Sequence, residues 1–322
     1  MLVIRLGALG DVTNALALAG ALKRERPDVH IGWAAHDLVL PLLVGHPWVD
    51  RVHHWPRARK FAGALDVARE ARAEGYDLVV DLQRILKSAL LSRLVRAPRT
   101  LGYDRGRAKE QSWRLHRERI APGDPQAPMI LQAMEFAQHL GCRDLEPLRE
   151  LPRDADAEGW ADSLLARLGA APIAVNLGAS KPPNRWLPER FAELARAIAA
   201  LEAGPVLLTG GPEDRELFAP ALEAADGDRI HDLVGRTSIP QMIALSRRLR
   251  LYVGCDTGPT HVAAAVGIPC VALFGPADPR RTGPFGSQHR VVSVPADSPS
   301  RAMADLSVAS ALDAVEERLR QQ

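Results

Sequence analysis

Short runs of buried-type residues recur along the chain, and each is followed by a stretch whose apolar positions carry helical spacing. Residues 1–6 read as a buried strand, and Gly7 to Gly10 as a turn into a helix over residues 16–26, with Asp11 or Thr13 as its cap. Residues 30–34 predict a second strand, 37–44 a helix, 50–54 a short third strand and 61–74 a helix. Residues 76–82 predict a central strand whose Leu78, Val79 and Val80 suit burial on both faces, and 87–95 another helix. Alternation of this kind predicts a parallel sheet wrapped by helices.

A helix over 128–140 leads into a polar, proline-containing stretch at 143–157, and residues 148–156 are the expected linker, with a helix over 158–168 at its edge. From residue 173 the rhythm restarts. Strands are predicted at 173–177, 205–209, 230–232, 251–253 and 270–274, and helices at 188–200, 215–225, 239–246 and 260–266. The predicted fold class is therefore α/β, with two Rossmann-like domains, 1–155 and 156–322, facing each other across a central cleft. Ligands in such sheets bind beyond the carboxyl ends of the strands.

Composition narrows the class. A length of 322 residues suits two domains, and 47% hydrophobic with 25% charged residues excludes disorder, coiled coil and collagen. Only 5% of residues are aromatic, so the cores should be aliphatic. Cys142, Cys255 and Cys270 form neither a metal clip nor a disulfide framework, which fits a reducing compartment. Arg5 interrupts the first apolar run and Asp11 follows it, so no secretory signal is expected and the protein is placed in the cytoplasm. Residues 257–277 are uncharged if His261 is neutral. Gly258, Pro259, Gly267, Pro269, Gly275 and Pro276 nevertheless divide them into loop, helix and strand rather than a membrane span.

Charge changes the picture locally. The totals, 41 basic and 39 acidic, give no support to nucleic acid held by bulk charge. Between residues 99 and 119, however, Arg99, Arg105, Arg107, Lys109, Arg114, Arg117 and Arg119 face only Asp104, Glu110 and Glu118. Two readings stand: an exposed loop with solubilising charges, or a surface that receives an anionic substrate.

Three strand-end loops carry candidate chemistry. In Arg5 to Asp11, the Gly-x-x-Gly spacing lets the backbone approach a ligand. The three-glycine dinucleotide fingerprint is absent, and no acid ends the second strand, so hydride transfer loses ground. Asp11 reads either as a helix cap or as an ionised carboxylate that takes a proton late, as a sugar hydroxyl attacks. In the loop from Asn176 to Trp186, Ser180, Lys181, Asn184 and Arg185 converge on phosphate oxygens, where a fixed cation lowers the barrier to departure of a diphosphate. Trp186 is expected to pack against the domain. In the loop from Cys255 to His261, amides at Gly258, Thr260 and His261, with the Thr257 and Thr260 hydroxyls, make a diphosphate cradle. There Asp256 accepts a sugar hydroxyl, His261 donates to phosphate or packs locally, and Cys255 is inert packing. At a further strand end, Glu213 or Glu216 would bind ribose hydroxyls, and Gly275 to Pro279 would shape the cleft wall.

These loops together resemble the bacterial ADP-heptose:lipopolysaccharide heptosyltransferases, glycosyltransferase family 9. The resemblance is carried by Ile4 to Asp11, Tyr76 to Gln83, Asn176 to Ala179 with Arg185 and Trp186, Gly210 to Pro212, and Asp256 to His261 with Gly275 and Pro276. It implies the two-domain GT-B architecture and inverting transfer of a heptose from ADP-heptose to the Kdo inner core of lipopolysaccharide. It places the catalytic carboxylate on Asp11, and on Arg185 the cation that several relatives supply as lysine. It places nucleotide-sugar contacts on Asp256, Gly258 and His261, with Thr237 and the Glu213–Glu216 region beside them. Residues 82–88, 102–105 and 108–110 look most like the branch that adds the first heptose, heptosyltransferase I. Gly10, Arg84, Lys87, Arg105 and Lys109 then fall on the acceptor side, where a Kdo carboxylate gives the basic segment a reason. Arg84 stands where that branch has glycine, and His116 lies where relatives tend to have tyrosine.

Inversion needs one displacement, so no second nucleophilic carboxylate is expected. No metal or other cofactor is expected either, since an obvious Asp-x-Asp pair is lacking and Asp154 and Asp156 are expected in the linker. A lipid-linked acceptor implies transient contact with the inner face of the cytoplasmic membrane, with residues 99–119, Trp55 and Trp113 as its rim. The alternatives are a transferase of the same fold with another nucleotide sugar or surface glycan, a nucleotide-sugar epimerase, and a non-catalytic anionic-glycan-binding protein.

Overall fold

Leu2, Val3 and Ile4 are fully buried and form β1 (Leu2–Ile4), the central strand of a six-stranded sheet. The computed structural model describes residues 1–225, 227–295, 297–298 and 300–321, which divide into the units Met1–Pro152 and Arg153–Gln322. In the first unit β1 leads into α1 (Leu9–Glu25), β2 (Gly32–Ala35), β3 (Arg51–His54), α2 (Lys60–Glu74) and β4 (Leu78–Asp81). Then follow α3 (Leu86–Val95), β5 (Arg99–Gly102), the two-residue β6 (Glu118–Arg119) and α4 (Met129–His139). The strand order is β3-β2-β1-β4-β5-β6, all parallel. Leu2, Ile4, Val67, Val79 and Leu91 form an aliphatic core cluster of this unit.

α1 begins earlier than its apolar spacing suggests. Its N-cap is Ala8, and Asp11 sits in the third helical position, accepting from the Ala8 amide at 3.2 Å, so neither Asp11 nor Thr13 is the cap. Thr13 Oγ1 donates inward to the Leu9 carbonyl. Residues 37–42 form a 3-10 helix containing Pro41 rather than an α-helix.

The expectation of an exposed loop over residues 99–119 is corrected: this segment contains β5, a 3-10 turn and β6. Arg107 is buried, its guanidinium 2.5 Å from Asp104 Oδ2 and 2.6 Å from Glu135 Oε2. Arg99 is held by both oxygens of Glu118. Only part of the basic excess therefore reaches solvent as unspent charge. Trp55 is 1% exposed, which removes it from any membrane rim, whereas Trp113 is half-buried under Arg105, Arg114 and Arg119.

The second unit repeats the plan. Its elements are α5 (Ala155–Leu168), β7 (Ile173–Asn176), α6 (Pro188–Ala200), β8 (Val206–Thr209), α7 (Asp214–Leu217), α8 (Ala219–Leu222) and β9 (Ile230–Asp232). They continue with α9 (Ile239–Ser246), β10 (Leu251–Cys255), α10 (Gly258–Ala265), β11 (Cys270–Phe274), α11 (Pro279–Thr282), β12 (Arg290–Ser293) and α12 (Val308–Arg320). The order β12-β11-β10-β7-β8-β9 is again parallel throughout. The helix expected over 215–225 is two short turns meeting at Phe218, which is fully buried. β12 and α12 lie beyond the last predicted strand. α12 packs on α6, and the chain just before it receives the Trp186 indole N–H at the Leu306 carbonyl, which fixes the buried Trp186. Among the described residues no helix is long and apolar enough to cross a membrane.

Candidate active site

In each sheet the strand order reverses direction beside its first strand, between β1 and β4 in one unit and between β7 and β10 in the other. The connections there leave to opposite sides and open a crevice at the carboxyl ends. All three strand-end loops singled out in the sequence follow one of these four strands.

In the first unit, Arg5 ties the crevice together. It is 4% exposed, and its Nη1 donates to the Leu82 carbonyl at the end of β4 at 2.5 Å. Its Nη2 lies 2.6 Å from Asp11 Oδ2. The Ala8 amide donates to the same oxygen, so both of these contacts fall on Oδ2 and neither on Oδ1. The Asp11 side chain is 37% exposed and stands in the first turn of α1, where the helix field favours negative charge. Gly10, buried in that turn, brings the backbone close without a side chain. Gln83 completes the stitching: its Oε1 accepts from the Leu6 amide at 2.9 Å. Arg5 was visible in the sequence only as a charge interrupting an apolar run. Its role appears once β1 and β4 lie side by side.

The residues expected on the acceptor side follow strands of the same sheet. Lys87 Nζ lies 3.1 Å from His36 Nε2 and 4.2 Å from the Trp55 ring centroid. His36 Nδ1 is 2.6 Å from the Trp55 carbonyl. A carbonyl only accepts and an ammonium only donates, so His36 is neutral with its proton on Nδ1. Burial, joined by the charges of Lys87 and Arg57, pulls the His36 pKa below its ordinary 6.5. Burial lowers that of Lys87 as well. Arg84 takes a left-handed backbone conformation, φ 68°, a region that glycine enters more readily than any other residue. Its carbonyl accepts from the Lys109 amide and from Ser112 Oγ, and its guanidinium lies over Tyr103. Arg105 and Lys109 are exposed. His116 is buried beside Asp81, its Nε2 3.2 Å from Oδ2, the oxygen to which Ser88 Oγ donates.

In the second unit, the loop after β7 runs through a 3-10 turn at Pro182–Asn184. Arg185 Nε donates to the Ala179 carbonyl at 2.8 Å, which leaves the rest of the guanidinium fork for a ligand. Ser180 and Lys181 are exposed at the loop tip. Asp256, at the end of β10, accepts from Thr282 Oγ1 at 3.2 Å and from Asn184 Nδ2 at 3.4 Å, with His261 Nε2 at 3.9 Å from its other oxygen. Thr257 is the N-cap of α10 and makes no side-chain cap bond, and Gly258 opens the helix. Thr260 turns inward: its hydroxyl donates to the Cys255 carbonyl and its amide to the Thr257 carbonyl. The cradle expected from Gly258, Thr260 and His261 thus loses its middle member to the fold. Cys255 is fully buried, and burial pushes its thiol up to about 12, so it is packing.

Glu213 and Glu216 are exposed at the start of α7, and Thr237 is half-buried just before the Ser238 cap of α9. Asp214, between the two glutamates, was not anticipated. It is buried and accepts from the Gly211 amide at 2.8 Å. A Cβ at Gly178 would lie 2.3 Å from its carboxylate, so glycine there is a packing requirement. Burial raises the Asp214 pKa, while Arg185 nearby pulls it down. The only trace of this residue in the sequence is an acid following Gly-Gly-Pro-Glu.

The residues 64–309 match the family model described as glycosyltransferase family 9 (heptosyltransferase). The chain belongs to glycosyltransferase family 9. As a member it is a glycosyltransferase of the heptosyltransferase family, and its α/β fold is the two-domain GT-B fold. Among its relatives, it is 27% identical to the lipopolysaccharide core heptosyltransferase OpsX of Haemophilus influenzae, over 91% of this chain and 83% of that one. It is 29% identical to lipopolysaccharide heptosyltransferase 1 of Pseudomonas aeruginosa, over 89% and 81%. Its fold matches a family 9 glycosyltransferase from Veillonella parvula with TM-score 0.87, at 22% identity over 100% of this chain and 97% of the other. It matches the E. coli heptosyltransferase WaaC with ADP at TM-score 0.79, with 22% identity over 98% and 99%.

Proposed function

We propose that this glycosyltransferase moves a heptose from ADP-heptose onto a Kdo residue of the lipopolysaccharide inner core, with inversion. Asp11 carries the reading: an accessible carboxylate at the switch point of one sheet, oriented by a buried arginine, in a chain of this family. The acceptor hydroxyl loses its proton to Asp11 Oδ1 as its oxygen bonds to the anomeric carbon. The bond from that carbon to the diphosphate breaks with its electron pair, and ADP departs. Arg185 meets the charge that grows on the leaving oxygen, and Lys181, Ser180 and the Gly258 amide hold the diphosphate. Asp256, with His261 beside it, binds sugar hydroxyls, and Glu213, Glu216 and Thr237 line the nucleoside side. All of this charge is met by the protein's own groups.

The first unit takes the acceptor and the second the donor. Lys87, Arg84, Arg105 and Lys109 offer cations to an acceptor that bears a carboxylate, which favours addition of the first heptose. The acceptor is lipid-linked, so the enzyme works in the cytoplasm, in transient contact with the membrane's inner face.

The test pairs a panel of nucleotide sugars with a Kdo-terminated acceptor and identifies the product linkage. Asp11→Asn should lower transfer by about 100- to 10,000-fold while donor affinity persists. Undiminished transfer by that variant would remove Asp11 as the base. Preference for another nucleotide sugar or glycan would move the enzyme to a different substrate within its fold.

A further inference from the structure

Two side chains of the second unit converge on Asp256. This residue follows β10, which lies between β11 and β7 in the sheet. From the loop after β7 comes Asn184, expected from the sequence to meet phosphate. It is buried, and its Nδ2 donates to Asp256 instead, 3.4 Å from Oδ2 and 3.5 Å from the main-chain carbonyl oxygen. From beyond β11 comes Thr282, the last residue of α11, whose Oγ1 lies 3.2 Å from the same Oδ2 and 3.3 Å from the Asp278 carbonyl. One hydroxyl carries one proton, and the nearer, carboxylate oxygen is the stronger acceptor for it. Loops on both sides of β10 thus reach inward to one oxygen, while His261 Nε2 stands 3.9 Å from the other. Each reaching residue is held by its own turn. The Asn184 amide donates to the Lys181 carbonyl at 2.9 Å. α11 is capped at its start by the Asp278 side chain and closed by Gly283, whose amide donates to the Pro279 carbonyl at 2.8 Å. A Cβ on Gly283 would collide with that carbonyl.

We infer that Asn184 and Thr282 are positioning residues for the sugar of the donor and act through Asp256. The inference rests on the sugar-hydroxyl contact proposed above for Asp256, and it names what makes that contact selective. A carboxylate on an untethered side chain turns about its own bonds, and ordering it against a ligand costs binding energy. Two donors on one oxygen order the group before the sugar arrives, so a hydroxyl that matches it binds without that cost. Because Asn184 directly precedes Arg185, the same link ties the sugar contact to the loop that carries the leaving-group cation. ADP alone brings no glycosyl hydroxyl to Asp256 and gains nothing from the arrangement. Plain stitching of the three loops would behave differently, since it would serve ADP and the ADP-sugar alike.

The test titrates the whole protein with ADP-heptose and with ADP in a calorimeter, without acceptor, and then measures steady-state transfer. Thr282→Val keeps the shape of the side chain and removes its hydroxyl. It should weaken ADP-heptose binding about tenfold and raise KM for the donor to match, with ADP affinity held within about twofold and kcat within about threefold. Thr282→Ser, which keeps the hydroxyl, should bring KM back to within about twofold of wild type. Asn184→Ala supplies a second variant should the valine substitution fold poorly, and its loss should likewise fall on ADP-heptose and spare ADP. In an Asp256→Ala background Thr282→Val should cost nothing further, because its target is gone. Equal losses for ADP and ADP-heptose overturn the inference. So does a full loss that persists in the Asp256→Ala background, or wild-type donor affinity in both single variants. A wild type that prefers another nucleotide sugar defeats the proposed donor alone, and the same comparison then sets that sugar against its own nucleotide. The expected binding pattern without transfer defeats only the proposed reaction.

Discussion

Replacing Arg185 by alanine isolates the cation assigned to the leaving group. The side chain is half-buried, and one hydrogen bond, from Nε to the Ala179 carbonyl at 2.8 Å, holds it to its own loop. Losing that bond should cost about 1 kcal/mol of stability, roughly 2–4 °C in the thermal midpoint of a domain this size. The catalytic cost is larger. A fixed donor aimed at developing charge is worth about 2.7–4 kcal/mol, so kcat should fall by about 100- to 1000-fold. Because that charge grows as the bond to the diphosphate breaks, the loss belongs in kcat more than in KM for the donor. Arg185→Lys keeps the charge but gives up the Nε anchor and the planar fork, and should recover to within about tenfold of wild type. The assay follows ADP release at saturating acceptor across a range of donor concentrations, with thermal midpoints measured in parallel. A folded alanine variant that keeps more than about a tenth of kcat, or loses activity only through KM, would refute the role given to Arg185.

Two further outcomes concern the first unit. Burial pulls the pKa of both His36 and His46 below 6.5, with Lys87 and Arg57 pulling further on His36 against Asp37. Their contribution to stability is therefore complete above the unfolded value and is lost as pH falls through the folded values. The thermal midpoint should decline on the acid side of about pH 6.5, and His36→Gln should flatten part of that slope; an unchanged slope would count against the neutral His36 hydrogen-bonded to Lys87. Gly32→Ala would place a methyl group 1.9 Å from Tyr76 Oη, on a ring buried beside His53. Overpacking of this kind should cost about 1–3 kcal/mol, several degrees in a melting curve, and an unshifted midpoint would show that Tyr76 yields easily.

Local pattern carried the architecture. Fully buried strands such as Ile173–Asn176 and Cys270–Phe274, and amphipathic helices such as Pro188–Ala200, declare themselves through runs and periods that need no partner to be seen. The strand-end glycines and the polar residues after them marked the loops, and their order marked the family. β12 escaped because a half-buried edge strand, Arg-Val-Val-Ser, has too short a run to stand out. The surroundings of each side chain were settled only by packing. Asp11 read as a cap or a base; the structure puts the cap at Ala8, and parallel pairing of β1 with β4 sets Arg5 between the Leu82 carbonyl and the carboxylate. Thr260 looked like a ligand until α10 turned its hydroxyl onto Cys255, and Asp214 was an ordinary acid until two loops closed over it. Elements arise from neighbours a few residues apart along the chain. The electrostatics of a site arise from groups as much as 77 residues apart, as Arg5 and Leu82 are, and only the folded sheet brings these within 3 Å.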